Sequence, residues 1–219
     1  GGDINIVLGD RKLAKRFSSE KDFVREAAYC LEVTPKGIEI KAITPKGAFY
    51  AIQSLRQMLY RGRELETCIV TDWPVMRYRG LMLDISRNFR DKEFIEKQID
   101  AMALLKMDKL HLHLTDDNGW RLEIKQYPLL TEVGSKRVDR AGVDFPSRRN
   151  QRQGEPVVDK GYYTQDDIRE IVAYATERQI MVIPEIAMPG HSNAALAAYP
   201  LLACSVVEKY IGVVPGLGG

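Results

Sequence analysis

"KLHLHLTDD", residues 109–117, alternates leucine with histidine and then stops on a threonine and two aspartates. His111 and His113 are two residues apart, so in an extended chain both point to one face, with Leu110, Leu112 and Leu114 on the other. The run reads as a buried strand whose C-terminal end carries a polar cluster. The same texture occurs on either side. "YRGLMLDIS" (78–86) and "IMVIPEI" (180–186) are near-continuous apolar runs that also close on polar residues. Between them lie two stretches of helical period. "DKEFIEKQIDAMALLKM" (91–107) opens on Asp91, a suitable N-cap, and "TQDDIREIVAYATERQ" (164–179) places Thr164 and Asp167 at the spacing of a capping box. The order is therefore β-α-β-α-β, and strands buried on both faces that alternate with helices imply a parallel sheet.

A (β/α)₈ barrel and an open doubly wound sheet both fit that order, and in both a ligand sits beyond the C-terminal strand ends. The turn after the first strand, "DISRNFRDKEF" (84–94), contains no glycine, which argues against a dinucleotide fold. A partial barrel, holding the first three strands over 73–204, is the expected architecture. Before it, residues 1–72 read as a small α/β domain. "INIVLGD" (4–10) is a strand, and "YCLEVTP" (29–35) and "GIEIKAI" (37–43) form a hairpin around a Pro-Lys-Gly turn. "PKGAFYAIQSLRQMLYR" (45–61) repeats Phe49, Ile52, Leu55 and Leu59 at helical spacing, and "CIVTDWP" (68–74) runs a strand into the boundary.

Composition excludes several classes of function. The 219 residues carry 32 basic and 30 acidic side chains, well mixed, and the densest basic group (Arg148, Arg149, Arg152) sits in a loop-like stretch, so nucleic acid is not expected as a partner. No apolar run is long enough to span a membrane. Cys30, Cys68 and Cys204 are widely spaced and read as small hydrophobic residues, not as a metal site or a disulfide framework. They leave the compartment open, and "GGDINIVLGD" shows no signal peptide.

Three strand ends bring chemistry to one rim: Asp84 and Arg87 from the first, His113, Asp116 and Asp117 from the second, Glu185 and His191 from the third. The histidine pair reads as partnered polar residues inside the sheet; no zinc-ligand spacing accompanies it. One of the two aspartates suits an Asx-type turn before Gly119, and the other can accept a hydrogen bond from a histidine on the next strand, for which His191 in its Pro-Gly-His turn is the candidate. Arg87 can fork onto sugar hydroxyls or a ligand carboxylate, or pair with Asp84 or one of the aspartates.

"YRGLMLDISRNF" (78–89), "KLHLHLTDDNGWRLEIKQYPLLTEVGS" (109–135) and "GYYTQDDIREIVAYATERQIMVIPEIAMPGHSNAALAAYP" (161–200) resemble the first half of the catalytic barrel of family-20 glycoside hydrolases, the β-N-acetylhexosaminidases. "EVTPKGIEIKAITPKGAFYAIQSLRQML" (32–59) resembles the small domain that precedes that barrel. The resemblance implies an enzyme that needs no cofactor and no metal. Its substrate would be an oligosaccharide or glycoconjugate ending in a β-linked N-acetylglucosamine or N-acetylgalactosamine. It implies a retaining mechanism in which the substrate's own 2-acetamido oxygen attacks the anomeric carbon. A glutamic acid would protonate the leaving oxygen while a neighbouring aspartate steadies the acetamido group.

Carried over by position, Arg87 would hold sugar hydroxyls, and Asp116 would partner His191, which in turn supports the catalytic glutamate. Asp117 is the second choice of partner, and Glu185 is a structural or supporting residue. A periplasmic or secreted location follows from the same resemblance. The family's His-x-Gly-Gly-Asp-Glu stretch, which carries the catalytic pair, does not occur in the 219 residues. Trp73 and Trp120 do not correspond to the family's pocket walls, and Glu208 is the sole carboxylate in the tail, residues 205–219, which departs from the family pattern. The chain is accordingly expected to be inactive alone, as part of a longer protein or as a non-catalytic, sugar-contacting chain. With its sheet edges open, it is expected to self-associate or to be completed by more polypeptide.

Overall fold

The computed structural model describes residues 3–60, 62, 64–140, 143–144, 149, 151–204 and 210–215. The chain divides into two compact units. The first comprises Gly1–Gly80, Asp100–Lys109 and Glu177–Ile180; the second holds Leu81–Ile99, Leu110–Thr176 and Met181–Gly219.

In the first unit, β1 (Asp3–Leu8) is followed by two short helices, α1 (Arg11–Arg16) and α2 (Asp22–Ala27), in a stretch, residues 11–28, to which the sequence assigns no element. Six-residue helices show too little of a period to read. Leu13, Phe17, Val24 and Ala28 bury one side of this segment, and the Asp10 carboxylate accepts from the Leu13 N–H to start α1. β2 (Tyr29–Thr34) and β3 (Gly37–Ala42) form the expected hairpin, and with β4 (Cys68–Asp72) they complete a sheet of order β1-β3-β2-β4. Only β1–β3 is a parallel pair. Gly37 is obligatory in its turn. Its φ is +150°, and a Cβ would lie 2.6 Å from the Asp3 carbonyl oxygen.

Helix α3 (Pro45–Leu59) begins with Thr44 as N-cap and Pro45 in its first turn. Its buried residues are Gly47, Ala48, Tyr50, Ala51, Gln53 and Leu55. Of the four apolar positions at helical spacing, only Leu55 is fully inside. Phe49 and Ile52 are partly buried and Leu59 is exposed, because alanines form the narrow seam that meets Tyr29, Leu31, Ile40 and Ala42. The sequence reading drew the boundary at residue 73, whereas this unit runs to Gly80 and takes in 100–109 and 177–180. Arg79 explains part of the difference. Its side chain donates to the Lys106 carbonyl and the Tyr50 hydroxyl, and its N–H to Asp108.

In the second unit, β5 (Gly80–Asp84), β6 (Lys109–His113) and β11 (Met181–Glu185) form a parallel sheet of order β11-β6-β5. Hydrogen bonds continue past the strand ends, from the Ser86 N–H to the His113 carbonyl and from the Leu114 N–H to the Glu185 carbonyl. All three C-terminal ends therefore lie side by side. Only the central strand is deeply buried: Leu110, Leu112 and Leu114 are inside, while Met82 on β5 and Met181 on β11 are exposed. Ile183 and Leu83 are only partly buried. Helix α4 (Lys92–Leu104) starts with its Phe94 N–H on the Asp91 carboxylate and buries Ile95 and Ile99. Helix α6 (Gln165–Glu177) starts on the expected box, the Asp167 N–H donating to the Thr164 Oγ and the Thr164 N–H to Asp167 Oδ2. It buries Ile171 and Ala175.

The long connection after β6 is more structured than its sequence suggests. A tight hairpin joins β7 (Thr115–Asp116) to β8 (Gly119–Trp120); then come α5 (Leu129–Glu132) and a small ladder of β9 (Lys136–Arg137) with β10 (Val158–Asp159). Helix α7 (Asn193–Ala198) follows β11. Residues 210–215, within the tail expected to depart from the pattern, pack into this unit: Val213 is buried beside Trp120, Leu130 and Ala194, and the Val214 N–H donates to the Asp117 carbonyl. Glu208 lies outside the described residues. Among the described residues, no helix is long and apolar enough to cross a membrane.

Candidate active site

Asp116 is the centre of the rim. It sits in β7, one residue before the hairpin turn, with 1% of its side chain exposed. A carboxylate so withdrawn from water must have its lone pairs occupied. Oδ2 faces Arg87 Nη2 at 2.6 Å and His113 Nε2 at 2.8 Å. Oδ1 accepts from the Asp117 N–H at 2.7 Å and faces His191 Nδ1 at 3.3 Å. Four partners on two oxygens saturate the group.

Arg87 reaches Asp116 from the end of β5, where the chain turns so that the Arg87 N–H and Nη1 both bond the Asp84 carboxylate, at 3.0 and 2.6 Å. Burial disfavours charge on Asp84, but these two bonds outweigh it and its pKa is lowered. Arg87 is held in its charged form, first by Asp84 and then by the nearby Asp116 charge. The guanidinium is one-third exposed, so it is gripped on one side and open on the other.

His113 and His111 point to one face, and Glu185 meets both: His113 Nδ1 lies 3.0 Å from Oε1 and His111 Nε2 lies 2.7 Å from Oε2. His113 thus has a carboxylate on each ring nitrogen. A neutral imidazole has one N–H and can donate to only one of them; the imidazolium donates to both. Burial works against that charge, but the bonds to Asp116 and Glu185 prevail and the His113 pKa is raised. On Glu185 burial pushes upward, while His113 and His111 draw the carboxyl below its usual range.

His191 stands in the Pro189-Gly190-His191 turn before α7 with φ +53°, a left-handed conformation that histidine adopts more readily than most residues. Its ring is over half exposed and lies 3.5 Å from Asp117 Oδ2 as well as 3.3 Å from Asp116. Asp117 is anchored by the Asn193 N–H at 3.1 Å. The seven side chains that the sequence places at the strand ends therefore do meet at one rim, with His113 bridging Asp116 and Glu185. The unexpected members are two buried arginines beneath the rim, Arg121 and Arg137. Arg121 stands directly after the polar Asp-Asp-Asn-Gly hairpin and Trp120, where a surface charge is equally expected, so its position gives no signal of burial. Its partners are backbone atoms, which the sequence does not mark.

Among the described residues, Asp116, Asp117 and His191 are the group whose ligand atoms lie close enough, within 4.8 Å, to close on a cation. Asp116 is already saturated by four partners, and a cation would meet the Arg87 charge across the same carboxylate. The geometry favours a hydrogen-bond relay over a metal centre.

An acid–histidine relay beside a half-free arginine, at the C-terminal ends of parallel barrel strands, is the layout the sequence motifs imply. Residues 76–214 match the catalytic domain of glycosyl hydrolase family 20, and residues 2–73 match domain 2 of that family. The chain belongs to glycosyl hydrolase family 20. The second unit thus lies within that family's (β/α)₈ barrel domain; residues 2–73 of the first unit correspond to domain 2, while its segments 100–109 and 177–180 fall within the catalytic-domain match. Among curated family-20 relatives, the chain is 43% identical to a beta-hexosaminidase of Porphyromonas gingivalis over 191 residues, which is 83% of this chain and 23% of the relative. It is 41% identical to an N,N'-diacetylchitobiase of Vibrio harveyi, over 81% of this chain and 20% of that protein. The whole chain superposes on a solved beta-N-acetylhexosaminidase with a TM-score of 0.78 and 35% identity, covering 42% of that structure. A mutant Streptomyces plicatus beta-hexosaminidase in complex with its product GlcNAc matches at 0.75 and 32%, with 96% of this chain and 39% of the other covered. The chain spans about a fifth to a third of the curated relatives it matches.

Proposed function

We propose that this chain supplies part of the sugar-binding rim of a β-N-acetylhexosaminidase, which releases terminal β-linked N-acetylglucosamine or N-acetylgalactosamine from an oligosaccharide or glycoconjugate. Arg87 carries the reading. Its guanidinium is fixed by Asp84 and Asp116 yet keeps N–H donors on its open side, the arrangement that suits adjacent sugar hydroxyls at the nonreducing end. Asp116 holds His191, or Asp117 does so in its place, and the histidine steadies a catalytic glutamate that the 219 residues do not contain. Glu185 keeps His113 and His111 in register below them. The acetamido oxygen of the substrate is the nucleophile, and retention of configuration follows from its two successive displacements. The protein works outside the cytoplasm, in the periplasm or as a secreted enzyme.

On this reading the 219 residues by themselves give no turnover of a chromogenic β-N-acetylglucosaminide, because a proton donor alone is commonly worth about 10²–10⁴-fold and the acetamido-orienting aspartate is absent with it. A longer polypeptide that includes an Asp-Glu pair does give turnover, with release of the β-anomer. Turnover by the 219 residues alone, abolished by Glu185→Gln or Glu208→Gln, places the acid elsewhere and sinks the assignment. The edge strands β5 and β11 are covered in the working protein by further strands or by a second copy. Sedimentation of the 219 residues as a compact 25 kDa monomer that melts cooperatively refutes that part.

A further inference from the structure

We propose that Arg121 and Arg137 form a paired backbone clasp that positions Arg87 and Asp116 for the sugar; this deepens the glycosidase reading above and rests on it. Arg121 follows β8 directly and is wholly buried. Among the described residues, its guanidinium donates five hydrogen bonds to backbone carbonyls. Nε and Nη2 donate to the Ser86 carbonyl at 3.1 and 3.0 Å, and Nη2 also donates to that of Asn118 at 3.3 Å. Nη1 donates to Ser135 at 2.8 Å and to Gly161 at 2.9 Å. Arg137, in β9, donates through Nη1 to the same Asn118 carbonyl at 3.0 Å and through Nη2 to the Arg87 carbonyl at 2.9 Å.

The targets are not scattered. Ser86 and Arg87 contribute the two carbonyls that flank Arg87. The Ser86–Arg87 peptide is held from both sides, because its N–H donates to Asp84 while its carbonyl takes two bonds from Arg121. Asn118 closes the turn that follows Asp116, and its carbonyl is the atom both arginines share. The clasp therefore fixes the two segments that carry Arg87 and Asp116 relative to each other, from beneath. Ser86 adds a cross-tie, its Oγ donating to the Gly119 carbonyl at 2.7 Å. The Phe89 ring lies against Arg121, 6.0 Å from centroid to Cζ. Gly119 leaves the room: a Cβ there would stand 2.3 Å from Arg121 Nη2. Only a planar fork can serve carbonyls on separate segments at once; an ammonium on the same stem keeps the charge and loses the geometry.

The test uses the full-length enzyme carrying Arg137→Lys, Arg121→Lys or Gly119→Ala, with Arg137→Lys also made together with Arg87→Lys. Arg121→Lys is the variant most exposed to misfolding, so Arg137→Lys and Gly119→Ala carry the test where it fails to fold. Expected for Arg137→Lys are a retained cooperative melt and about tenfold faster amide exchange over residues 84–90. KM for the chromogenic N-acetylglucosaminide rises about tenfold, since a misplacement near 1 Å is costly at a binding group. In the Arg87→Lys background the same change adds less than about twofold to KM, because the clasp acts through Arg87. An equal KM effect in both backgrounds makes the two arginines folding pins only and overturns the proposal. Where the wild-type enzyme does not turn the glycoside over, it is the glycosidase reading that fails; the clasp is then judged by exchange, and unaltered protection of residues 84–90 in Arg137→Lys overturns it.

Discussion

Leu31 in the first unit and Asp116 in the second are both almost entirely withdrawn from water, 0% and 2% exposed, and opposite forces hold them there. Leu31 is surrounded by Tyr29, Ile40, Ala51 and Leu55, and its burial stabilises the sheet simply by removing apolar surface from solvent. Asp116 gains nothing from leaving water. It stays inside because Arg87, His113, His191 and its own neighbour's N–H replace every hydrogen bond that water made. The first unit buries few polar side chains, Gln53 and Asp108, whereas the rim of the second buries Ser86, His113, Asp116, Asn118, Arg121 and Arg137 together. The lesson is that the small unit is built for stability and the strand ends carry a preorganised set of charges whose order matters more than its net energy.

The sharpest way to break this contrast is to remove Asp116. Asp116→Ala leaves Arg87 and His113 facing each other without their shared carboxylate, and the expected cost is about 3–5 kcal/mol, read from urea unfolding of the second unit. A loss below about 1 kcal/mol means the rim relaxes freely and is not preorganised. Leu31→Ala tests the other side. A cavity in the first unit should cost about 2–4 kcal/mol while leaving KM of the full enzyme unchanged at temperatures where it stays folded. A KM shift comparable to that of Asp116→Ala would erase the distinction between the two units.

A smaller effect concerns pH. The His113 pKa is raised in the folded chain, so its contribution to stability is fully present below the ordinary histidine value and fades as pH rises through the higher folded value. Glu185 and Asp84 are lowered, so theirs is present above the ordinary carboxylate range and fades on acidification. Stability of the second unit should therefore peak between those limits and decline on the alkaline side, and His113→Gln should flatten that alkaline decline in a melting series from pH 5 to pH 9. A decline that persists in His113→Gln assigns it to another group. Last comes a change away from both regions. Thr164→Ala removes the α6 capping box and should cost about 1 kcal/mol with no change in KM, as a control on how much a lost hydrogen bond costs far from the rim.

How much of this was legible depends on what kind of partner each residue has. The β2–β3 hairpin, the starts of α4 and α6 and the three parallel strands follow from local periodicity, capping spacing and a Pro-Lys-Gly turn, all of which act within a few residues. The short helices α1 and α2 were not legible because six residues carry no usable period. The buried stripe of α3 was misjudged because Ala48 and Ala51, small enough for close approach to the sheet, outrank the larger Phe49 and Leu59. At the rim, the convergence of Asp84, Arg87, Asp116, Glu185 and His191 follows from strand order alone, since polar residues just past parallel strands must share one end of the sheet.

What only the tertiary structure decided is which atom faces which. That His113 holds a carboxylate on each nitrogen, that Asp116 serves four donors, and that Arg121 and Arg137 meet on the Asn118 carbonyl depend on chain segments tens of residues apart. Hydrogen bonds to backbone carbonyls leave no residue-type signature, because every residue has one. The sequence by itself determined the family, the strand order and the side chains that gather at the rim. Their pairing was decided in three dimensions, where burial makes an unpaired charge too costly to keep and so forces each donor onto the particular oxygen within its reach.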